Sequence, residues 1–162
     1  MQWLATVTDP EIPVLSIVDL GIVRGVAWQD DTCVVTITPT YSGCPAMQEI
    51  TQAIETTLHA QGIAGVRVDI SLRDTWTTDW ITPAGRQALS DYGIAPPGEQ
   101  AAGREQVIDI TGITRRRQAP AVPCPQCGSS ATQLVSLFGS TSCKALYRCR
   151  QCGEPFDYFK AH

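Results

Sequence analysis

Four cysteines near the C-terminal end of the sequence have the spacing of a metal site. Cys124 and Cys127 form one C-x-x-C pair followed by glycine, and Cys149 and Cys152 form a second such pair. Two thiolates two residues apart can bind one ion from a tight turn, and two such turns complete a tetrahedral cage of four sulfurs. The spacing therefore predicts a metal site of the zinc-ribbon type with these four ligands.

The ion in this cage would be structural, because four sulfur ligands leave no coordination position open for chemistry. Iron in the same cage, as in rubredoxin, is the alternative, and we favour zinc. A module of about 40 residues has too small a core to fold unaided, so metal binding would supply its folding energy. Cys143, six residues before Cys149, has two interpretations. It is either a small residue packed in the ribbon, or a spare ligand or reactive thiol beside the metal site.

A separate thiol, Cys44, lies in the stretch "TYSGCPAM" (40–47) at the start of a helical pattern. Pro45 suits the first position of a helix from about 45 to 61, which would make Cys44 the N-cap. Free backbone N–H groups and the helix dipole would then lower the pKa of this thiol and favour the thiolate, a nucleophile and metal ligand. The alternative is a small capping residue that only fills space. The residues alone leave the two interpretations level.

The elements that must position these cysteines follow from the hydrophobic pattern. The helix at 45–61 has an apolar stripe at spacings of three and four. Alternating or β-rich runs predict strands at 21–28, 33–38 and 66–72, and Cys33 falls on a core-facing row of the second. A short helix is expected around residues 3–7, with Trp3, Leu4 and Val7 on one face, and another helix between Thr82 and Gly93. The third strand is expected to be half-buried, with one face formed by Val66, Val68, Ile70 and Leu72. The fold class is therefore α+β, a small two-layer domain followed by a β-rich ribbon.

The chain divides into parts of opposite charge. Its net charge is −4, with −7 in residues 1–97 and +3 in residues 98–162. Proline, glycine and alanine dominate residues 95–103, which predicts a linker. We expect a domain at 1–95, a linker at 96–121 and the ribbon at 122–162. The acidic domain argues against nucleic-acid binding, and the run at 115–117 is only three arginines long.

The N-terminus lacks the basic and apolar regions of a signal peptide, and no apolar run approaches the roughly 20 residues that span a bilayer. We therefore expect a cytoplasmic protein without a membrane partner. In that reducing compartment, the seven cysteines would be thiols or metal ligands and not disulfides.

Four stretches of the sequence carry resemblances to two known families. "DPEIPVLSIVDLGIV" (9–23), followed by "TPTYSGCPAM", resembles the iron–sulfur cluster assembly (FSCA-like) family that includes the MIP18 and SufT proteins, and Trp76 also matches. "WTTDWITPAGRQALSDYGIAPP" (76–97) and "FGSTSCKALYRCRQCGEPFDYFKAH" (138–162) resemble the family of accessory D components of phenylacetyl-CoA epoxidase, the phenylacetate ring-oxygenase system. Together, the resemblances cover nearly the whole chain.

The resemblance implies a non-enzymatic maturation factor in aerobic phenylacetate catabolism. Its partners would be components of the epoxidase, especially the iron–sulfur reductase component. The family's reactive, cluster-handling cysteine corresponds to Cys44, and the acidic residues of its first motif correspond to Asp9, Glu11 and Asp19. Asp9 and Asp19 also have an ordinary interpretation as caps of turns.

The residues limit how an iron–sulfur cluster could be held. Clusters are usually bound by four thiolates, whereas residues 1–95 offer only Cys44 and the core-facing Cys33. A transient cluster would need a second chain's Cys44 in a homodimer, carboxylate ligands, or a client's cysteine.

Other functions also fit parts of the sequence. A structural adaptor of the oxygenase is the main alternative, with the aromatic tail Phe156, Tyr158 and Phe159 as an interface or simply as ribbon core. A thiol enzyme is the weakest alternative, because His59 would lie about four helical turns from Cys44.

Overall fold

The computed structural model describes residues 1–41, 43–98 and 122–160, so most of the expected linker, including the three arginines at 115–117, lies outside the described residues. The described chain combines helices with three sheets, which confirms the α+β class. Its α-helices are α1 (Met47–Ala60) and α2 (Pro83–Asp91), with short 3-10 helices at Leu4–Thr6 and Thr78–Trp80. Its strands are β1 (Thr8–Asp9), β2 (Ile12–Ser16), β3 (Val23–Gln29), β4 (Thr32–Ile37), β5 (Gly65–Ile70), β6 (Ile94–Ala95), β7 (Thr132–Ser136), β8 (Lys144–Cys149) and β9 (Pro155–Phe159).

The N-terminal part is built on a three-stranded sheet in the order β3-β4-β5. β3 and β4 form an antiparallel hairpin, and α1 connects β4 to its parallel neighbour β5. Cys33, Val35 and Ile37 are buried in β4, as the sequence predicts. They share one core with the predicted apolar stripe of α1, whose buried residues are Met47, Ile50, Ile54 and Leu58.

Two details of the hydrophobic pattern were wrong. Ile70 and Leu72 were expected on the buried face of β5, but they are 52% and 69% exposed. β5 ends at Ile70, and only its earlier residues Val66 and Val68 pack against the core. Similarly, Trp3 was expected to share a helix face with buried Leu4, but its side chain is 45% exposed because the helix is a single 3-10 turn.

Helix α2 begins where the sequence predicts. The Thr82 hydroxyl accepts a hydrogen bond from the Gly85 N–H at 3.0 Å, which caps the helix, and it donates to Asp19 Oδ1 at 2.8 Å. The chain turns out of the helix at Gly93 with φ +87°, a conformation that favours glycine. The cap therefore also fastens α2 to the loop that follows β2.

The C-terminal sheet joins the ribbon to the N-terminal part. Its strand order is β6-β9-β8-β7, so a strand from residues 94–95 pairs in parallel with β9. Phe159 of β9 packs against Trp76, with ring centroids 6.0 Å apart, and the Trp76 indole N–H donates to the Leu20 carbonyl oxygen at 3.0 Å. Phe159 and Cys143 belong to the same core as the N-terminal elements. The two parts therefore share both a sheet and a core.

The ribbon also has a small core of its own, which includes Tyr147 and Phe156 with ring centroids 5.9 Å apart. The aromatic tail is thus largely packing, since Phe156 and Phe159 are both buried. Within the described ranges, neither helix is long and apolar enough to cross a membrane.

Candidate metal centre and thiol site

The four ribbon cysteines converge on one point. Their sulfur atoms all lie within 4.8 Å of one another. Cys124 Sγ lies 3.8 Å from Cys152 Sγ, and Cys127 Sγ lies 3.6 Å from Cys149 Sγ. A tetrahedral zinc site with bonds of about 2.3 Å has sulfur–sulfur edges of about 3.8 Å. The residues therefore fit a single tetrahedrally bound ion, and we refer to these four cysteines as the cage.

Backbone geometry supports the cage at each C-x-x-C turn. Gly128 and Gly153 adopt φ +73° and +82°, and their N–H groups donate to the Cys124 and Cys149 carbonyl oxygens. The N–H groups of Cys152 and Gln151 point at Cys149 Sγ from 3.5 and 3.4 Å. These donors lower the pKa of Cys149 to about 6. At Cys127 and Cys152, backbone N–H donors also act to lower the pKa, but desolvation and hydrogen bonds with neighbouring cage thiols outweigh them and raise it.

Cys143 lies away from the cage. Among the described residues, the group able to surround one ion contains only the four cage cysteines. Cys143 is buried in the core shared with the N-terminal part, and its thiol donates to Glu11 Oε2 at 3.7 Å. Thr141 Oγ1 lies 3.0 Å from the same sulfur. Its burial agrees with the interpretation as a packed residue, although it packs in the core shared with the N-terminal part and not in the ribbon's own core. The interpretation as a reactive thiol stays a prediction.

Cys44 is not the N-cap of α1, so that prediction was wrong. Pro45 and Ala46 form a turn before the helix, which begins at Met47, and Ala46 is the capping residue without a side-chain hydrogen bond. The expected lowering of the thiol pKa is wrong as well. Partial burial raises the pKa of Cys44, the negative charges of Glu11 and Asp9 add to the rise, and the Ala46 N–H only partly offsets them.

The three acidic residues of the first motif have different roles. Asp9 Oδ1 accepts hydrogen bonds from the Glu11 and Ile12 N–H groups at 2.8 and 2.9 Å, so Asp9 caps a turn. Burial raises its pKa in spite of these bonds. Asp19 accepts from the hydroxyls of Ser16 and Thr82 at 2.6 and 2.8 Å. Glu11 is the acidic residue whose carboxylate contacts a thiol.

Tyr41 and Lys144 are site residues that sequence reasoning missed. The Tyr41 hydroxyl interacts with the Cys44 thiol and the Ser142 side chain, and burial raises its pKa. Lys144 is only 4% exposed, and its Nζ donates to the Glu11 carbonyl oxygen at 3.4 Å. Their positions in the sequence could have indicated them, since Tyr41 lies three residues before Cys44 and Lys144 directly follows Cys143.

We name the group formed by Glu11, Tyr41, Cys44, Cys143 and Lys144 the seam cluster, because it joins the N-terminal part to the ribbon. Two other candidates lie elsewhere. Trp76 is buried in the core, and the His59 ring is held by the Ile63 carbonyl oxygen at 2.8 Å, near the far end of α1 from Cys44. The seam cluster thus combines two thiols and a carboxylate, and His59, the histidine within the described ranges, lies outside it.

Comparisons with known proteins define the class. A family model described as iron–sulfur cluster assembly protein matches residues 1–71, and one described as the PaaD zinc beta ribbon domain matches residues 110–160. The crystal structure of a domain of unknown function, DUF59, from Bacillus anthracis matches with a TM-score of 0.50 and 26% identity, over 54% of this chain and 85% of that one. The fold is thus an iron–sulfur assembly domain joined to a zinc ribbon.

Two curated relatives indicate which family of iron–sulfur assembly proteins the chain belongs to. A protein named Fe-S protein maturation auxiliary factor from Porphyromonas gingivalis is 33% identical over 58% of this chain and 88% of its own length. The putative D component of 1,2-phenylacetyl-CoA epoxidase from Escherichia coli is 46% identical over 97% of this chain and 88% of its own length. The chain belongs to the family of this epoxidase component, PaaD.

Proposed function

We propose that this protein is a non-catalytic maturation factor that handles iron or an iron–sulfur cluster through Cys44 for a phenylacetyl-CoA epoxidase in the cytoplasm. The observation that carries the proposal is the half-buried thiol of Cys44, placed near the Glu11 carboxylate in an iron–sulfur assembly fold. A relative named as a maturation auxiliary factor supports the general role, and the epoxidase relative from Escherichia coli supports the pathway.

The electrostatics of Cys44 suit a transient cargo. A thiol must lose its proton to bind iron, and a raised pKa makes that loss harder, so binding is weaker than at a preformed thiolate. A carrier has to release its cargo, and weak binding favours release. The Glu11 carboxylate, whose charge acts on the Cys44 thiol, supplies an oxygen donor.

We propose that the cage holds a structural zinc ion and that the ribbon docks the client, the iron–sulfur reductase component. The turn after β7 supports the docking role, because Leu137 and Phe138 are 65% and 68% exposed. Exposed neighbouring apolar side chains are typical of contact surfaces. We retain the division into residues 1–95, 96–121 and 122–162 as the functional division, although β6 and β9 pair across it.

The test compares cluster loading of the reductase component by wild-type protein and by Cys44→Ser. We expect the variant to keep its fold and one zinc ion per chain, and to lose nearly all loading, measured as iron and acid-labile sulfide in the client. Cys33→Ala is the matched control, since it removes a thiol in β4 that packs in the core. Normal loading by Cys44→Ser would disprove the role of this thiol.

A structural adaptor is the second candidate function, and the exposed pair Leu137 and Phe138 favours it too. An adaptor would co-purify with the assembled epoxidase at fixed stoichiometry, and Cys44→Ser would leave both assembly and client loading unchanged. Loss of loading in Cys44→Ser with intact assembly would reject it.

A further inference from the structure

We propose that Cys143 of the ribbon is the second thiol ligand of the site at which Cys44 handles its cargo, with the Glu11 carboxylate as an oxygen donor. The proposal rests on the proposed function and extends it. It makes the ribbon a contributor to the cargo site, in addition to any docking role.

Glu11 connects the two thiols. Its Oε2 lies 3.7 Å from Cys143 Sγ, and its negative charge acts on the Cys44 thiol. Tyr41 makes a second connection, because its hydroxyl interacts with both Cys44 and the side chain of Ser142, which precedes Cys143. The loop before α1 and the loop before β8 therefore face each other at the seam cluster.

The fold holds Cys143 in this position. Its carbonyl oxygen accepts a hydrogen bond from the Lys160 N–H at 2.9 Å, directly after β9. The next residue, Lys144, donates from Nζ to the Glu11 carbonyl oxygen, and its Nζ also lies 3.9 Å from the Asp157 carboxylate. Trp76 and Phe159 pack β9 onto the N-terminal core. These contacts fix the ribbon thiol relative to Glu11.

The N-terminal part has too few available thiols to bind an iron–sulfur cluster, and Cys143 would supply one more. Iron–sulfur clusters are bound mainly by thiolates, and Cys33 is only 3% exposed in β4. Cys143 gives the site a second sulfur from the same chain, so neither a second chain nor a client is needed for it. On binding, each thiol would lose its proton to solvent as its sulfur–iron bond forms, with no change in oxidation state.

The seam donors differ from a single-ion cage. Within the described ranges, the four ribbon cysteines alone bring their ligand atoms within 4.8 Å of one another. The seam donors are instead two thiols and one carboxylate, so sulfur, the usual ligand of iron–sulfur clusters, is the majority donor. An iron–sulfur cluster is the cargo that this donor set fits.

The experiment reconstitutes the full-length, zinc-loaded protein anaerobically with ferrous iron and sulfide, and then counts retained iron, sulfide and zinc per chain after desalting. We expect wild type to retain iron and sulfide, and Cys44→Ser and Cys143→Ser each to retain at least tenfold less. Zinc should stay at one ion per chain in all three. Thr141→Val is the matched control, because it alters the neighbour of Cys143 and keeps the thiol; it should load like wild type.

The outcomes separate this proposal from the proposed function. Normal loading of Cys143→Ser combined with loss in Cys44→Ser would overturn the role of Cys143 and leave that of Cys44 intact. Absence of loading in wild type, or normal loading in both variants, would overturn both. If Cys143→Ser loses zinc or unfolds, the Glu11→Gln variant provides the test instead. We expect this variant to retain at least tenfold less iron than wild type. Unchanged iron retention would overturn the proposal.

Discussion

The cage and the seam cluster are both built from cysteines, but they arrange their donors differently. In the cage, backbone N–H groups lower the pKa of Cys149 to about 6, while the pKa values of Cys127 and Cys152 are raised. In the seam cluster, burial and the charge of Glu11 raise the pKa of Cys44 and that of Cys143. The sulfurs converge in the first site, whereas the second combines thiols with a carboxylate.

This difference suits the cage to permanent binding of an ion and the seam cluster to temporary binding of a cargo. Four convergent sulfurs can surround one ion completely, so the cage is suited to keep its ion. The seam cluster offers only two thiols, and their raised pKa values disfavour the thiolate, so the return of protons favours release. One chain can therefore use the same side chain for a structural ion and for a transferred cargo.

Loss of the cage should have the largest effect. Binding of structural zinc contributes free energy on the order of 10 kcal/mol in small zinc modules. We expect Cys149→Ser to lose the metal and to lower the unfolding temperature strongly, since β9 of the ribbon pairs with β6 and Phe159 packs in the shared core. Metal analysis and calorimetry would check this. Retention of one ion per chain at an unchanged melting temperature would contradict it.

Weakening the shared core tests whether the two sites are held by one folding unit. Phe159→Ala removes a fully buried ring that packs against Trp76, which should cost about 3–5 kcal/mol. We expect one cooperative unfolding transition in wild type and in the variant, followed in denaturant by both near- and far-ultraviolet circular dichroism. Two separated transitions in wild type would show that the ribbon and the N-terminal part unfold independently.

The raised pKa of Cys44 predicts a specific pH dependence of alkylation. Only the thiolate reacts, so a thiol whose pKa lies above its ordinary value should react about tenfold faster per pH unit, with no plateau below about pH 8.5. Glu11→Gln removes a negative charge and should increase the rate at neutral pH. Iodoacetamide labelling of Cys44, followed by mass spectrometry, measures both effects. A plateau near pH 7 would mean that the thiolate is stabilised and not disfavoured.

The variant with the smallest expected effect, Thr82→Ala, tests whether Asp19, unlike Glu11, lies outside the cargo site. Thr82→Ala removes the α2 cap and the hydroxyl that donates to Asp19, which should cost about 1 kcal/mol of stability. Because Asp19 is engaged with Ser16 and Thr82, we expect cargo loading to be unchanged in this variant. Chemical denaturation and reconstitution measure the two quantities, and a large loss of loading would place Asp19 in the cargo site.

The structural features that were predicted correctly from the sequence are those that depend on short-range patterns. The C-x-x-C spacing located the cage, the three-and-four spacing located α1, and the Thr82 cap located the start of α2. The two helix predictions depend on residues within one turn or one helix. The cage prediction depends on two matching C-x-x-C pairs, whose spacing is typical of metal sites. Cys33 was also placed correctly, since alternation along a strand determines which face is buried.

The features that the sequence did not predict depend on distant contacts. Glu11 and Cys143 are 132 positions apart, and their contact follows from the packing of β9 against Trp76. The pKa of Cys44 rises because of burial and of charges from the β1–β2 segment, which no local helix argument includes. Ile70 is 52% exposed although it alternates in phase with Val66 and Val68, so alternation alone does not determine where the covered part of β5 ends. These are tertiary effects without a local sequence signal.

The most direct test of the contrast between the two sites is a chelator challenge of the reconstituted wild-type protein. Iron, sulfide and zinc would be followed over time in one sample under anaerobic conditions. We predict that iron and sulfide leave the seam cluster at least tenfold faster than zinc leaves the cage. Equal rates, or iron that outlasts zinc, would contradict the assignment of a permanent site and a transfer site.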